Sequence, residues 1–279
     1  MLPLGKSPVA DGSALNVRVL REPVVYLVGR QVVDAAQIDR FLSDHGVSWQ
    51  TDTEVAAEHL AEVAGRLCYM SFARPRPGGN KTYLGHILEV GHGSVLEHAV
   101  WNFVFTGVSR SLTHELVRHR HMGYSQLSQR YVDESVAEYV EPDVIANDPA
   151  MHALWLEAVG HAHQAYLKLV EKLTEHYKDE PDKTQRRKLA RQAARSVLPN
   201  ATETKIFVTA NARALRHFIE MRASRHAEVE IRKLAVAVLR IMQQEAPNLF
   251  ADYSLVPLGD GTCEAITPHR KVRRMFRGE

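Results

Sequence analysis

The chain has 279 residues, 45% of them apolar, enough to bury a core in one large domain or two small ones. Its 35 basic and 33 acidic side chains leave a formal charge of +2, which excludes the global field that holds a protein on nucleic acid or anionic lipid. Cys68 and Cys263 are too few for a disulfide framework or a four-cysteine zinc site, no apolar run reaches the roughly 18 residues of a membrane span, and the first sixteen residues lack the pattern of a charged leader before an apolar core; the expected setting is cytoplasmic.

In chain order, residues 1–15 are rich in Pro, Gly, Ser and Asp and are expected as a flexible arm, with folding starting near Val17. Val24 to Val28 reads as a buried strand, and Asp34 to Leu42 and Thr53 to Leu67 read as helices opened by capping-type residues. Arg74 to Asn80, with two prolines and two glycines, is a loop signal. Ala99 to Phe105 places Trp101, Phe103 and Phe105 on one face of a strand. Ala150 to Tyr177 and the basic Pro181 to Ser196 are helical, with Pro199 closing the stretch. Ile206 to Thr209 is a strand; Asn211 to Ser224 and Ala227 to Glu245 are helices, the second with Ile231, Leu234, Ala235, Val238 and Met242 on one stripe. The alternation is too irregular for a doubly wound sheet. We therefore expect a single α+β domain over residues 16–265, helices packed around a modest antiparallel-type sheet, followed by a basic C-terminal tail at 266–279.

Between Arg110 and Arg130 four arginines mix with His114, His119 and His121, three serines and two glutamines, with little acid. Guanidinium forks suit phosphate oxygens, and Ser128 and Arg130 would face the same way if the stretch is extended. A solvated basic loop is the alternative. Interleaved Leu112, Leu116, Val117, Leu127 and Tyr131 speak for partly buried, and hence paired, arginines. Zinc on His119 and His121 lacks a cysteine or carboxylate partner at ligand spacing, and no metal site is expected.

Read as a helix, Asn211 to His226 puts Asn211, Leu215, Phe218 and Arg222 on one face and Arg213, His217 and Glu220 on another. A cation on an apolar stripe needs an anion, either a carboxylate such as Glu228 or Glu230 or a ligand. Gly91 to His98 joins a turn to Glu97 and His98, and structural capping and function explain it equally well.

These segments carry a family resemblance. RHR at 118–120, followed by seven residues and then Ser128-Gln129-Arg130-Tyr131, resembles the signature of the flavin-dependent thymidylate synthases. His92 to His98 resembles the family's upstream H-x-S/T-x-x-E-H element, Arg195 to Pro199 its R-x-V-L-P element, and Asn211 to Ile231 its C-terminal element.

The resemblance implies a homotetramer with four active sites at subunit junctions, binding FAD and acting on dUMP with methylenetetrahydrofolate and NADPH as cosubstrates, a hydride of reduced flavin completing the methyl group. By the same resemblance Ser94, Arg118, His119, Arg120, Gln126, Asn211, Ala212, Arg213 and His217 contact FAD, from more than one chain. Glu115, Leu116, Val117, Arg118, Gln126, Leu127, Ser128, Gln129, Arg130, Arg195 and Arg222 hold dUMP. Arg222 is the expected catalytic residue, lying against the uracil and favouring ionisation at N3.

Gln126 stands where many members have Glu, and His217 where others have Asn; both keep a hydrogen-bonding group. Neither cysteine has a nearby His in sequence, so no cysteine nucleophile is expected, and Cys68 reads as a buried small hydrophobe. An RNA-binding module is a second reading. It needs stacking aromatics among the charges, where only Tyr124 and Tyr131 stand, and no nucleic-acid or membrane partner is expected. An oligomer that has lost activity is a third; intact Ser128, Arg130, Arg195 and Arg222 count against it.

Overall fold

Several helix starts follow the capping chemistry of the sequence. In a computed structural model that describes residues 17–74, 77–136 and 138–269, the chain opens with β1 (Arg18–Leu20) and β2 (Val24–Arg30), then α1 (Ala35–Asp44), whose N-terminal amide at Gln37 is capped by Asp34. Next come α2 (Ala56–Leu67) and α3 (Gly79–Val90), the latter ended by Gly91 at φ +77°, a left-handed cap that favours glycine. β3 (Val100–Ser109) runs into α4 (Arg110–Leu116), and Ser109 Oγ accepts the Leu112 amide at 2.9 Å.

β4 (Gly123–Gln126), β5 (Glu138–Val140) and α5 (Asp143–Ala146) lead to the 28-residue α6 (Pro149–His176), started by Asp148 as cap and Pro149 at the first helical position. α7 (Lys183–Ala194), β6 (Glu203–Asn211), α8 (Ala212–Arg222), α9 (Val229–Glu245), α10 (Pro247–Phe250), β7 (Ser254–Pro257) and β8 (Cys263–Ile266) complete the described chain.

The expected mixture of helices and sheet is present. Four strands form a sheet of order β2-β3-β6-β4, β7 and β8 pair antiparallel, and β1 pairs parallel with β5. By contact the chain forms two units. Unit 1 joins the residues up to Val24 with Phe105–Arg118 and Ser125–Phe207; unit 2 joins Val25–Val104, His119–Tyr124 and Val208 onward. In unit 1, Val17 and Tyr139 pack with Val159 of α6, backed by Trp155, Leu156 and Ala201. In unit 2 the α9 stripe is fully buried at Ile231, Leu234, Ala235, Val238 and Met242. Each of the larger side chains there contributes roughly 1.5–3 kcal/mol of apolar burial. Trp101 meets Phe250 edge-on at 6.1 Å.

Several expectations change. β2 is not a buried strand: Val25 is buried, but Tyr26 and Val28 on the opposite face are about half exposed, the alternation of a strand covered on one side only. Cys68 caps α2 at its exposed end and is no buried hydrophobe. Thr53 does not cap α2, which starts after Val55; its hydroxyl accepts the Val55 amide at 3.2 Å instead. The loop expected to Asn80 ends two residues early, because Gly79 and Asn80 form the first turn of α3, with Asp52 Oδ1 accepting the Asn80 amide at 2.7 Å. Regular structure also reaches the first residue of the expected basic tail, Ile266 being the last of β8. The expected N-terminal arm, and the tail's arginines from Arg270 on, lie outside the described residues. Among the described residues no helix is long and apolar enough to cross a membrane.

Candidate active site

The basic segment does not stay together: it divides between the two units after Arg118. In unit 1, α4 presents Arg110 and His114 to an open cleft of about 380 Å³, whose other lining residues include Gln129, Gln192, Arg195, Ser196 and Asn200. Arg110 is oriented by its own Nη1, which donates to the Leu127 carbonyl at 3.3 Å and to Thr204 Oγ1 at 3.4 Å. Burial lowers the Arg110 pKa; Glu134 opposes this and the neighbouring Arg195 charge adds to it. Two guanidiniums at one cleft, with amide donors from Gln129 and Gln192, make a site for an anion. Gln192, Arg195 and Ser196 follow helical spacing of three and four, a signal present in the sequence and not used there.

Other expected substrate residues lie differently. Residues 129–131 form a turn, not an extended stretch, and Ser128 Oγ accepts the Arg130 amide at 3.4 Å. The shared direction of Ser128 and Arg130 was expected of an extended stretch, and that condition is not met, because side-chain alternation holds only in a strand. Arg118, Arg120 and Arg130 are exposed rather than partly buried, as are Val117 and Tyr131; the interleaved apolar positions point in two directions. Arg130 lies over the Tyr131 ring at 5.6 Å. Leu116 is wholly in the core, Glu115 and Leu127 are half-buried, and Gln126 Nε2 donates to Thr113 Oγ1 at 3.0 Å.

Unit 2 holds a larger cavity, about 560 Å³. Its wall combines apolar Ile87, Leu88 and Leu96 with Glu97, His121, Asn211, Arg213, His217, Glu220 and His269. The second polar face of α8, Arg213-His217-Glu220, lines it as the helical spacing implied. Asn211 caps α8 by accepting the Ala214 amide at 2.8 Å, Arg213 pairs with Glu97, and Ala212 is buried behind. Thus Gly91 to Glu97 both caps α3 and walls a cavity, while Ser94 is exposed beside it. Glu97, His121 and His269 were not expected as site residues. No periodicity or motif marks His269, which falls in the stretch read as tail.

On the other face of α8, Leu215 and Phe218 are buried and Arg222 is half-buried, as its place on the stripe required. Arg222 Nε donates to His119 Nε2 at 3.0 Å. The His119 ring stands edge-on to Phe218 at 5.2 Å and to His217 at 5.7 Å. Burial, then the charge of Arg222, then His217, lower the His119 pKa to about 4. The imidazole is therefore neutral at pH 7 and accepts at Nε2. A neutral acceptor of this kind orients the guanidinium through its Nε. Among the described residues no group of three or more His, Cys, Asp or Glu could hold a metal ion.

A cleft lined by two arginines and a separate, half-apolar cavity with several polar groups have the character of ligand sites, as in an enzyme. Comparison with known proteins makes this particular. The family described as Thymidylate synthase complementing protein matches residues 51–248. The flavin-dependent thymidylate synthase of Mycobacteroides abscessus is 52% identical over 230 residues, 82% of this chain and 92% of that protein. Its counterparts in Mycolicibacterium gilvum and in Mycobacterium sp. strain JLS are 53% identical, over 82% of this chain and 92% of that protein, and 55% identical, over 80% and 89%. The chain belongs to the flavin-dependent thymidylate synthase family.

Proposed function

We propose that the enzyme converts dUMP to dTMP, with methylenetetrahydrofolate as one-carbon donor, NADPH as reductant and FAD as cofactor, in a homotetramer whose active sites draw on more than one chain. The observation that carries this reading is the half-buried Arg222, held through Nε by a neutral His119. Its charge favours ionisation of the uracil ring at N3, which makes C5 the better nucleophile without a cysteine. The anion cleft supports a phosphate site: Arg195 and Gln129 line it, and Arg110 joins them.

The unit 2 cavity suits a flavin nucleotide. Ile87, Leu88 and Leu96 offer an apolar wall, and Asn211, Arg213 and His217 offer polar groups. When bound, reduced flavin supplies the hydride that completes the methyl group. Ser94, Arg118, Arg120 and Gln126 remain proposed contacts to it, and Glu115, Ser128 and Arg130 to dUMP.

The test is dTMP formation from dUMP, methylenetetrahydrofolate and NADPH at low oxygen, with and without added FAD. We expect FAD-dependent product, and Arg222→Ala to cut turnover by about two to three orders of magnitude while retaining FAD. Near-normal turnover in that variant would remove Arg222 from the chemistry, and an unsubstituted protein that makes no dTMP while binding FAD and dUMP would sink the assigned reaction.

A further inference from the structure

His269, three residues past the end of β8, lines the unit 2 cavity together with α8. A chain of hydrogen bonds holds it there. Arg216, buried on α8 and itself part of the lining, donates from Nη1 and Nη2 to the two Asp252 oxygens at 2.7 Å each. Asp252 Oδ2 also accepts the Thr267 hydroxyl, and Thr267 Oγ1 in turn accepts the His269 amide at 3.1 Å. Burial works against the Asp252 charge, but the Arg216 guanidinium and the Thr267 hydroxyl outweigh it and keep the carboxyl below its ordinary range. The segment after the last strand is thereby tied to the helix that carries Arg213 and His217. The match to the family ends at residue 248, and the motifs of the resemblance end at Ile231, so neither reaches His269.

We propose that His269 is a cofactor-binding residue, contributing a ring nitrogen to the flavin nucleotide in this cavity, with Thr267 as its positioning residue. The proposal rests on the reading of the cavity as the flavin site. An imidazole can donate or accept toward phosphate, ribose or ring nitrogen, and it stands on the same cavity as Arg213 and His217. Thr267 reaches the ligand only through His269: a valine of the same shape removes both hydrogen bonds of its hydroxyl, whereas serine keeps them.

The experiment is titration of the full-length protein with FAD, followed by flavin fluorescence, for the unsubstituted chain, His269→Ala, Thr267→Val and Thr267→Ser, with dUMP affinity and the urea midpoint measured alongside. His269→Ala and Thr267→Val are expected to weaken FAD about five- to tenfold, and Thr267→Ser to match the unsubstituted chain. dUMP affinity and the urea midpoint of His269→Ala should stay unchanged. Unaltered FAD affinity in His269→Ala, or equal losses of FAD and dUMP, would overturn the proposal. An unsubstituted chain that fails to bind FAD would overturn the cofactor assignment of the cavity itself, an outcome separable because it appears without any substitution.

Discussion

His119 shows how a single burial decision sets a charge. Its folded pKa of about 4 lies below the ordinary 6.5, so between these values the unfolded chain holds more protons than the folded one. Stability therefore rises with pH through this window, and acid removes it, by about 3 kcal/mol from this group across the full window. His119→Gln keeps an acceptor for Arg222 and abolishes the titration. Urea unfolding between pH 4.5 and 7 should show a shallower pH dependence in the variant than in the unsubstituted chain. His59 and His163, also depressed by burial, remain in both and contribute with the same sign, while Glu58 and Glu134, raised by burial, contribute with the opposite one, so the difference between the two proteins isolates His119. Identical slopes would mean that His119 does not carry the linkage. The sequence showed that Arg222 needed a partner, a carboxylate or a ligand; a histidine 103 residues away supplies the bond to Nε.

Among the elements, β3 carries a backbone constraint that no hydrophobic pattern reveals. Gly107 lies inside the strand at φ +65°, and a Cβ there would stand 2.6 Å from the Glu22 carbonyl oxygen. Its amide is bonded by Glu203 Oε1 at 2.9 Å, which fixes the conformation. Gly107→Ala should destabilise the protein by roughly 1–3 kcal/mol. Gly85→Ala, within α3 and facing open space, should be neutral or stabilise by up to ~1 kcal/mol. Urea midpoints for the two variants check this: equal effects would show that the positive φ at 107 costs nothing to replace. The cap at Asp34 was legible because it is local, its side chain bonding an amide three residues on; Asp148 and Asn211 close their helices by the same short-range bond, which was not read from the sequence. The turn at Ser128 to Tyr131 was not, since a hydroxyl can close a turn as readily as it can meet a ligand.

At the scale of the molecule, the two cavities lie in different units and hold different chemistry, so their ligands should be separable by mutation. Arg195→Ala removes a cation from the anion cleft. It should weaken dUMP by tenfold or more, weaken deoxyuridine far less, and leave FAD affinity unchanged. Calorimetric titration with the three ligands decides this, and equal losses for dUMP and deoxyuridine would take the phosphate away from this cleft. By itself the sequence determined the long helices, the buried faces of β3 and α9, the two polar faces of α8 and the family, because periodicity, capping and ordered motifs are short-range properties written in consecutive residues. Only the tertiary structure decided which charges meet: that the basic segment divides after Arg118, that Arg110 shares a cleft with Arg195, that Arg222 meets a neutral His119, and that His269 comes back to α8 through Thr267 and Asp252. Those pairings depend on burial and on contacts across long stretches of chain, and neither quantity is encoded in spacing along it.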